Sequence, residues 1–148
     1  MINCLYLIQS TISLYEFTER QLEILESQIQ TNLGTVIAEQ TTHFLGTVGL
    51  SDFHSALKQG KPSEEHFKAL EGCSEQLTAL TLAPDQYQLS QCRLLTSSRL
   101  REEAHQRAIV GFREAYEAVY AAICTEKRLE TVVDVLQYSP EQLEQLLS

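Results

Sequence analysis

The stretch that decides the fold runs from Glu19 to Val48, ERQLEILESQIQTNLGTVIAEQTTHFLGTV. Leu22, Leu25, Ile29, Leu33, Val36, Ile37, Phe44 and Val48 fall on one face at 3.6 residues per turn, so the segment predicts a single amphipathic helix. About thirty residues at 1.5 Å rise make a rod of roughly 45 Å, the spine of an elongated bundle. Thr18-Glu19-Arg20-Gln21 has the spacing of a capping box at its start. Gly49 stands where a helix C-terminus calls for a left-handed residue. No chemistry accompanies the rod, and by itself it describes an acidic helical scaffold.

On its N-terminal side, roughly Ile2 to Tyr15, Leu5, Ile8, Ile12 and Tyr15 form one stripe, with Leu7 and Leu14 in a second row and Tyr6 nearby. A helix apolar over so much of its circumference wants neighbours on more than one side. The expectation is that the chain is the terminal piece of a longer one. The stretch has no basic region ahead of it and is broken by Gln9, Ser10 and Thr11, so it does not read as a signal peptide.

C-terminal to the rod, Ser51 is expected to cap a short helix that Gly60 and Pro62 end. Ser63 opens another, with Phe67, Leu70, Leu77 and Leu80 in phase, and Pro84 stops it. Pro84 to Ser97 reads as a looser connection. A second long helix from Ser98 to about Ile123 carries Ile109, Phe112, Tyr116, Val119, Tyr120 and Ile123 beside a small-residue row of Ala104, Gly111, Ala115, Ala118 and Ala122. Bulky and small stripes side by side place this helix mid-bundle, with Gly111, Ala115 and Ala118 facing the long rod. Ser139-Pro140-Glu141-Gln142 then reads as cap, proline at the first helical position and acidic first turn of a closing helix. The fold class is all-α: an elongated antiparallel bundle of about five or six helices, one domain over residues 1–148.

Composition narrows function by exclusion. The 148 residues carry a formal charge of −9, a sign that repels phosphate backbones and anionic lipid, so neither nucleic acid nor direct membrane insertion is expected. Cys4, Cys73, Cys92 and Cys124 lie far apart with no Cys-x-x-Cys spacing, the usage of a reducing compartment. One local exception to the acidity runs from Arg93 to Arg113, where five arginines meet only Glu102 and Glu103. Arg99, Arg107 and Arg113 on the shell of the second long helix are the candidate partner-binding residues. Local i,i+4 pairing with the helix's own glutamates is the simpler account of them.

Glu102-Glu103-Ala104-His105 holds one Glu-x-x-His, the spacing that di-metal carboxylate bundles use in pairs. His43, His54 and His66 supply no second copy, so His105 is read as structural and no metal, cofactor or catalytic residue is assigned. The sequence contains no Gly-x-Ser-x-Gly, phosphate-binding glycine loop or His-Glu-x-x-His. Tyr116 and Tyr120 are read as core or boundary residues with hydroxyls reaching water. A metal-binding bundle enzyme and a self-associating structural bundle stay open as rival readings.

Beyond these patterns, several runs carry a resemblance. Asn3-x-Leu5-Tyr6, Leu14-Tyr15-Glu16-Phe17-Thr18, Arg20-x-Leu22-Glu23-x-Leu25 with Gln28-Ile29, Glu39-Gln40, Val48-Gly49-Leu50 and Lys61-Pro62 occur in order. Ala115-Tyr116-x-x-Val119-Tyr120-Ala121-Ala122 and Ser139-Pro140-x-Gln142-x-x-x-Leu146-Leu147-Ser148 follow them. The ordered set resembles the C-terminal region of subunit six of the conserved oligomeric Golgi complex, most thinly over Cys73–Ser98 and Thr125–Gln137. The resemblance implies a non-catalytic helical-rod subunit of a vesicle-tethering complex, held peripherally at the cytosolic face of the Golgi. It further implies retrograde transport that recycles resident glycosylation enzymes. The implied partners are other subunits of the complex, SNAREs, Rab-type GTPases and coiled-coil tethers.

Overall fold

The computed structural model describes residues 1–16, 18–60, 62–70, 72–125 and 136–148, and the thin stretch of the resemblance at 126–135 lies outside them. Eight α-helices and one short 3-10 turn account for the architecture of the described residues. These are α1 (Ile2–Ile12), α2 (Glu19–Val48), α3 (Ser51–Gln59), α4 (Glu64–Lys68), α5 (Cys73–Leu82), the 3-10 turn Pro84–Tyr87, α6 (Ser90–Arg93), α7 (Ser98–Thr125) and α8 (Pro140–Leu147). The all-α bundle expected from the sequence is what folds.

Helix α2 has the bounds its pattern predicts, but its start is built differently. Thr18 makes no side-chain cap to α2. Its hydroxyl turns back and donates to the carbonyls of Ile12 (3.2 Å) and Tyr15 (2.9 Å), satisfying the end of the preceding helix instead. At the other end the expectation holds. Gly49 adopts φ 80°, its N–H bonds Gly46 O at 3.1 Å, and Leu50 N–H bonds Leu45 O at 2.9 Å. That pair of bonds, closed by buried Leu45 and Leu50, is a Schellman stop. Leu50, not Ser51, therefore takes the cap position of α3.

The single helix expected from Ser63 to Pro84 is two. Gly72, at φ 92°, stands between α4 and α5 as the cap residue of the latter. Phe67 and Leu70 from one side of that break, and Leu77 and Leu80 from the other, enter the same core, which is why their phase reads as continuous. At the C-terminal end, the cap predicted at Ser139 forms, and Gln142 completes it into a capping box. Gln142 N–H donates to Ser139 Oγ at 3.3 Å, and Ser139 N–H to Gln142 Oε1 at 3.0 Å.

Helix α7 occupies the centre, packed on α2, α3, α6 and α8. Contacts between the two rods advance together along both. Thr41 meets Ala108 and Gly111, and Phe44 meets Phe112 edge-on at 5.8 Å. The two long helices thus run side by side in the same direction, with residues 49–97 returning the chain, while α1 folds back on α2 as a hairpin. The aromatic series continues through Phe112, Tyr116 and Tyr120 at 6.4 Å spacings. Tyr116 is fully buried, and its hydroxyl donates to Tyr138 O at 2.7 Å rather than reaching water. Desolvation raises its pKa far above that of a free phenol.

The small-residue row of α7 faces α2 only in part. Ala104, Ala108 and Ala115 are buried, but Ala118 is exposed, because α2 has already ended where Ala118 would meet it. Gly111 marks the closest approach: a Cβ there would lie 3.0 Å from Thr41 Oγ1, a hydroxyl held by Ala108 O at 3.4 Å. Gly111→Leu is expected to cost about 1–3 kcal/mol by overpacking. Ala115→Leu should fall at the low end of that range. Ala115 borders a cleft of about 520 Å³ between α2, α3 and α7 into which a larger side chain can turn. Denaturant unfolding of the two variants compares them, and an unshifted midpoint for Gly111→Leu contradicts the close approach.

Candidate interaction surface

The three arginines singled out from sequence lie along α7 but do not converge. Arg107 is half-exposed and shares its guanidinium between Glu103 Oε1 and Gln30 Oε1 of α2, each at 3.2 Å. Arg99 is exposed, and its charge helps hold the Glu26 carboxyl below its ordinary pKa, after the amide donors of Gln9 and Gln30. Arg113 lies further along and is more buried. It bonds Glu117 at 3.1 Å and places Nε 3.2 Å from Glu144 of α8, an ion pair without hydrogen-bond geometry. Arg99 and Arg107 therefore present charge at the α2–α7 seam, whereas Arg113 ties the closing helix to the bundle. A fourth, Arg101, has its guanidinium turned to the carbonyls of Leu95 and Thr96 and stabilises the entry to α7.

His105 points to the segment between the 3-10 turn and α6. The Gln88 amide nitrogen lies 3.0 Å from its Nδ1, within hydrogen-bond distance. Asp85, Cys92, Arg101 and Glu102 share the surrounding cleft of about 420 Å³. Among the described residues no three His, Cys, Asp or Glu side chains come together as a metal-holding group. Elemental analysis is expected to find the same trace metal in wild type and His105→Ala. A stoichiometric metal lost on that substitution would overturn the structural reading of this histidine.

Sequence reasoning assigned no structural role to one residue that the fold depends on. Gln40 is 2% exposed, on the core side of α2. Its Nε2 donates to Tyr87 O at 3.0 Å and its Oε1 accepts from Leu89 N–H at 2.6 Å. This one amide satisfies two backbone groups of the connecting segment and docks it on the rod. The signal was present in the apolar stripe, which skips from Ile37 to Phe44 with Gln40 in the gap. The two buried thiols are unsuited to chemistry: burial pushes Cys73 up to about 11 and raises Cys92 as well.

Helix α1 ends at Ile12, short of the expected Tyr15; it turns Ile2, Leu5 and Tyr6 toward the bundle with Ile12 half-buried, while Leu7 and Ile8, and Leu14 and Tyr15 in the turn beyond, stay exposed. The expected Leu5–Ile8–Ile12–Tyr15 stripe is therefore split, with Ile8 and Tyr15 exposed, and the second row, Leu7 and Leu14, lies outside. Among the described residues no helix is long and apolar enough to cross a membrane.

Comparison with known proteins fits that architecture. The family model described as "Conserved Oligomeric Golgi complex subunit 6, C-terminal" matches residues 1–147. Conserved oligomeric Golgi complex subunit 6 of Homo sapiens is 32% identical over 157 residues, covering 100% of this chain and 24% of the human protein. The Drosophila melanogaster subunit is 25% identical over 149 residues, covering 100% and 24%. That of Dictyostelium discoideum is 28% identical over 163 residues, covering 99% and 23%. The chain spans about a quarter of the length of these curated relatives. No solved structure matches it. With the family pattern running through all eight helices, the chain belongs to the conserved oligomeric Golgi complex subunit 6 family, in the part that forms the C-terminal region.

Proposed function

We propose that the chain acts as a non-catalytic helical module of a Golgi vesicle-tethering complex, at the C-terminal end of a longer rod-shaped subunit. The observation that carries the reading is the family match across residues 1–147. The fold suits such a role, since a rod held by a continuous core offers rigid faces on which partners can be fixed relative to one another. Its immediate partners are other subunits of the complex. SNAREs, Rab-type GTPases and coiled-coil tethers are further candidates, with retrograde transport and recycling of glycosylation enzymes as the process served. Attachment at the cytosolic face of the Golgi is peripheral and goes through these proteins. Co-sedimentation of the purified chain with the other subunits tests the reading, and a chain that joins none of them refutes it.

Within this reading, Arg99 and Arg107 are the cationic contacts at the α2–α7 seam. Arg113 belongs to the same candidate set, but its tie to Glu144 makes it a poor probe, because reversing it disturbs α8. Arg99→Glu with Arg107→Glu is expected to leave the fold intact, since exposed pairs contribute about 0–1 kcal/mol each. Association with the other subunits should weaken and lose part of its salt dependence. Unaltered affinity at low and high salt removes the seam from the interface.

A further inference from the structure

The outer face of α1 belongs to the longest uncharged run of the sequence. From Met1 to Tyr15 there is no Asp, Glu, Lys or Arg, although 21% of the chain is charged. Surface helices of acidic proteins keep their solvated faces charged, and the desolvated centres of interfaces are where charge is depleted. Cys4, Leu7, Ile8 and Thr11 recur three and four residues apart along the side turned away from α2, Leu14 and Tyr15 continue them in the turn after Ile12, and all six are exposed. Leu7 and Tyr15 are each 67% exposed, and Leu14 82%. Such a stripe matches the seam through which one helix packs on another.

The rim sets the partner's character. Beyond the hairpin tip stand Glu16, Glu19 and Glu23, all exposed and in no ion pair among the described residues, against the single cation Arg20. Glu26, the next acid, is already taken by Gln9 and Gln30. We infer that the outer face of α1 is the seat of an amphipathic helix from the same tethering complex, one whose apolar stripe is flanked by Lys and Arg. A second copy of this chain would bring another net charge of −9, and an anionic bilayer is repelled by the same rim. Membrane-lying helices carry Lys and Arg beside their apolar face, and α1 has neither. The inference rests on the tethering reading and adds to it a surface and a partner chemistry.

Exposed Cys4 lies in the stripe and serves as a built-in reporter. The chain alone and the chain assembled with the complex are pulsed with a maleimide, and modification of Cys4 is read by peptide mass spectrometry. Assembly is expected to slow labelling at least tenfold. A photo-crosslinking residue at Leu7 should capture a peptide with apolar residues three and four apart and adjacent Lys or Arg. Leu7→Glu with Leu14→Glu, on a solvated face, should keep the helical circular dichroism of the free chain. The same double variant should bind the captured partner at least tenfold more weakly. Unchanged Cys4 labelling in a chain that co-sediments with the complex overturns the inference and leaves the tethering reading standing. So does a crosslink to a second copy, to lipid or to an acidic segment. A chain that fails to co-sediment overturns both.

Discussion

Tyr116→Ala is expected to destabilise the protein by about 3–5 kcal/mol, the cost of truncating a fully buried aromatic whose neighbours relax only in part. The side chain packs between Phe112 and Tyr120 of its own helix. Its hydroxyl is also the tie to Tyr138 O, at the point where the chain turns into α8. Tyr116→Phe separates the two contributions. It keeps the ring and orphans one part-buried carbonyl, for about 1–2 kcal/mol. Chemical denaturation of wild type and both variants provides the check. Equal losses for Phe and Ala would mean that the hydroxyl, and not the packing, carries the effect.

Gln40→Leu should cost about 2–4 kcal/mol, although leucine fits the apolar stripe of α2 better than glutamine does. The substitution strips the partners from Tyr87 O and Leu89 N–H, each next to the core. Leaving buried polar groups unpaired outweighs the gain from one more apolar side chain. The loss should be local before it is global. Hydrogen exchange is expected to speed up over the 3-10 turn and α6 well before α2 responds. A Gln40→Leu protein with unchanged stability and unchanged exchange at Leu89 would show that water replaces the amide at no cost.

These two residues also mark how far the sequence could be read. Both bounds of α2, the start of α7 and the capped start of α8 were legible. Each is set by local physics: a stripe of period 3.6, the left-handed Gly49, and the Ser139 cap. The break at Gly72 was hidden because two helices feed one core and so preserve the apolar phase across it. The exposure of Ala118 and the common direction of α2 and α7 depend on the path of residues 49–97, which no periodicity encodes. Among the surface residues, Arg107 with Glu103 was readable as an i,i+4 pair. Gln30 and Glu144, which complete the surroundings of Arg107 and Arg113, come from other helices and were not. The charge-free α1 face was visible in composition, but only the burial of Leu5 and Ile12 against Leu7 and Leu14 shows which side is left open.

The parallel pairing of the two rods has a consequence for synthesis. Thr41 and its contact at Ala108 are 67 residues apart in the chain. At ribosomal rates of about 5–20 residues per second, α2 emerges about 3–13 s before the helix that covers it. An antiparallel neighbour joined by a short loop would arrive almost at once. During that interval the Ile29–Val48 stripe is shielded by segments already made, among them the α1 hairpin and then α3 to α6. Order of emergence therefore gives α1 a role its final contacts do not reveal: it is an early cover of the rod, in place before the core can close.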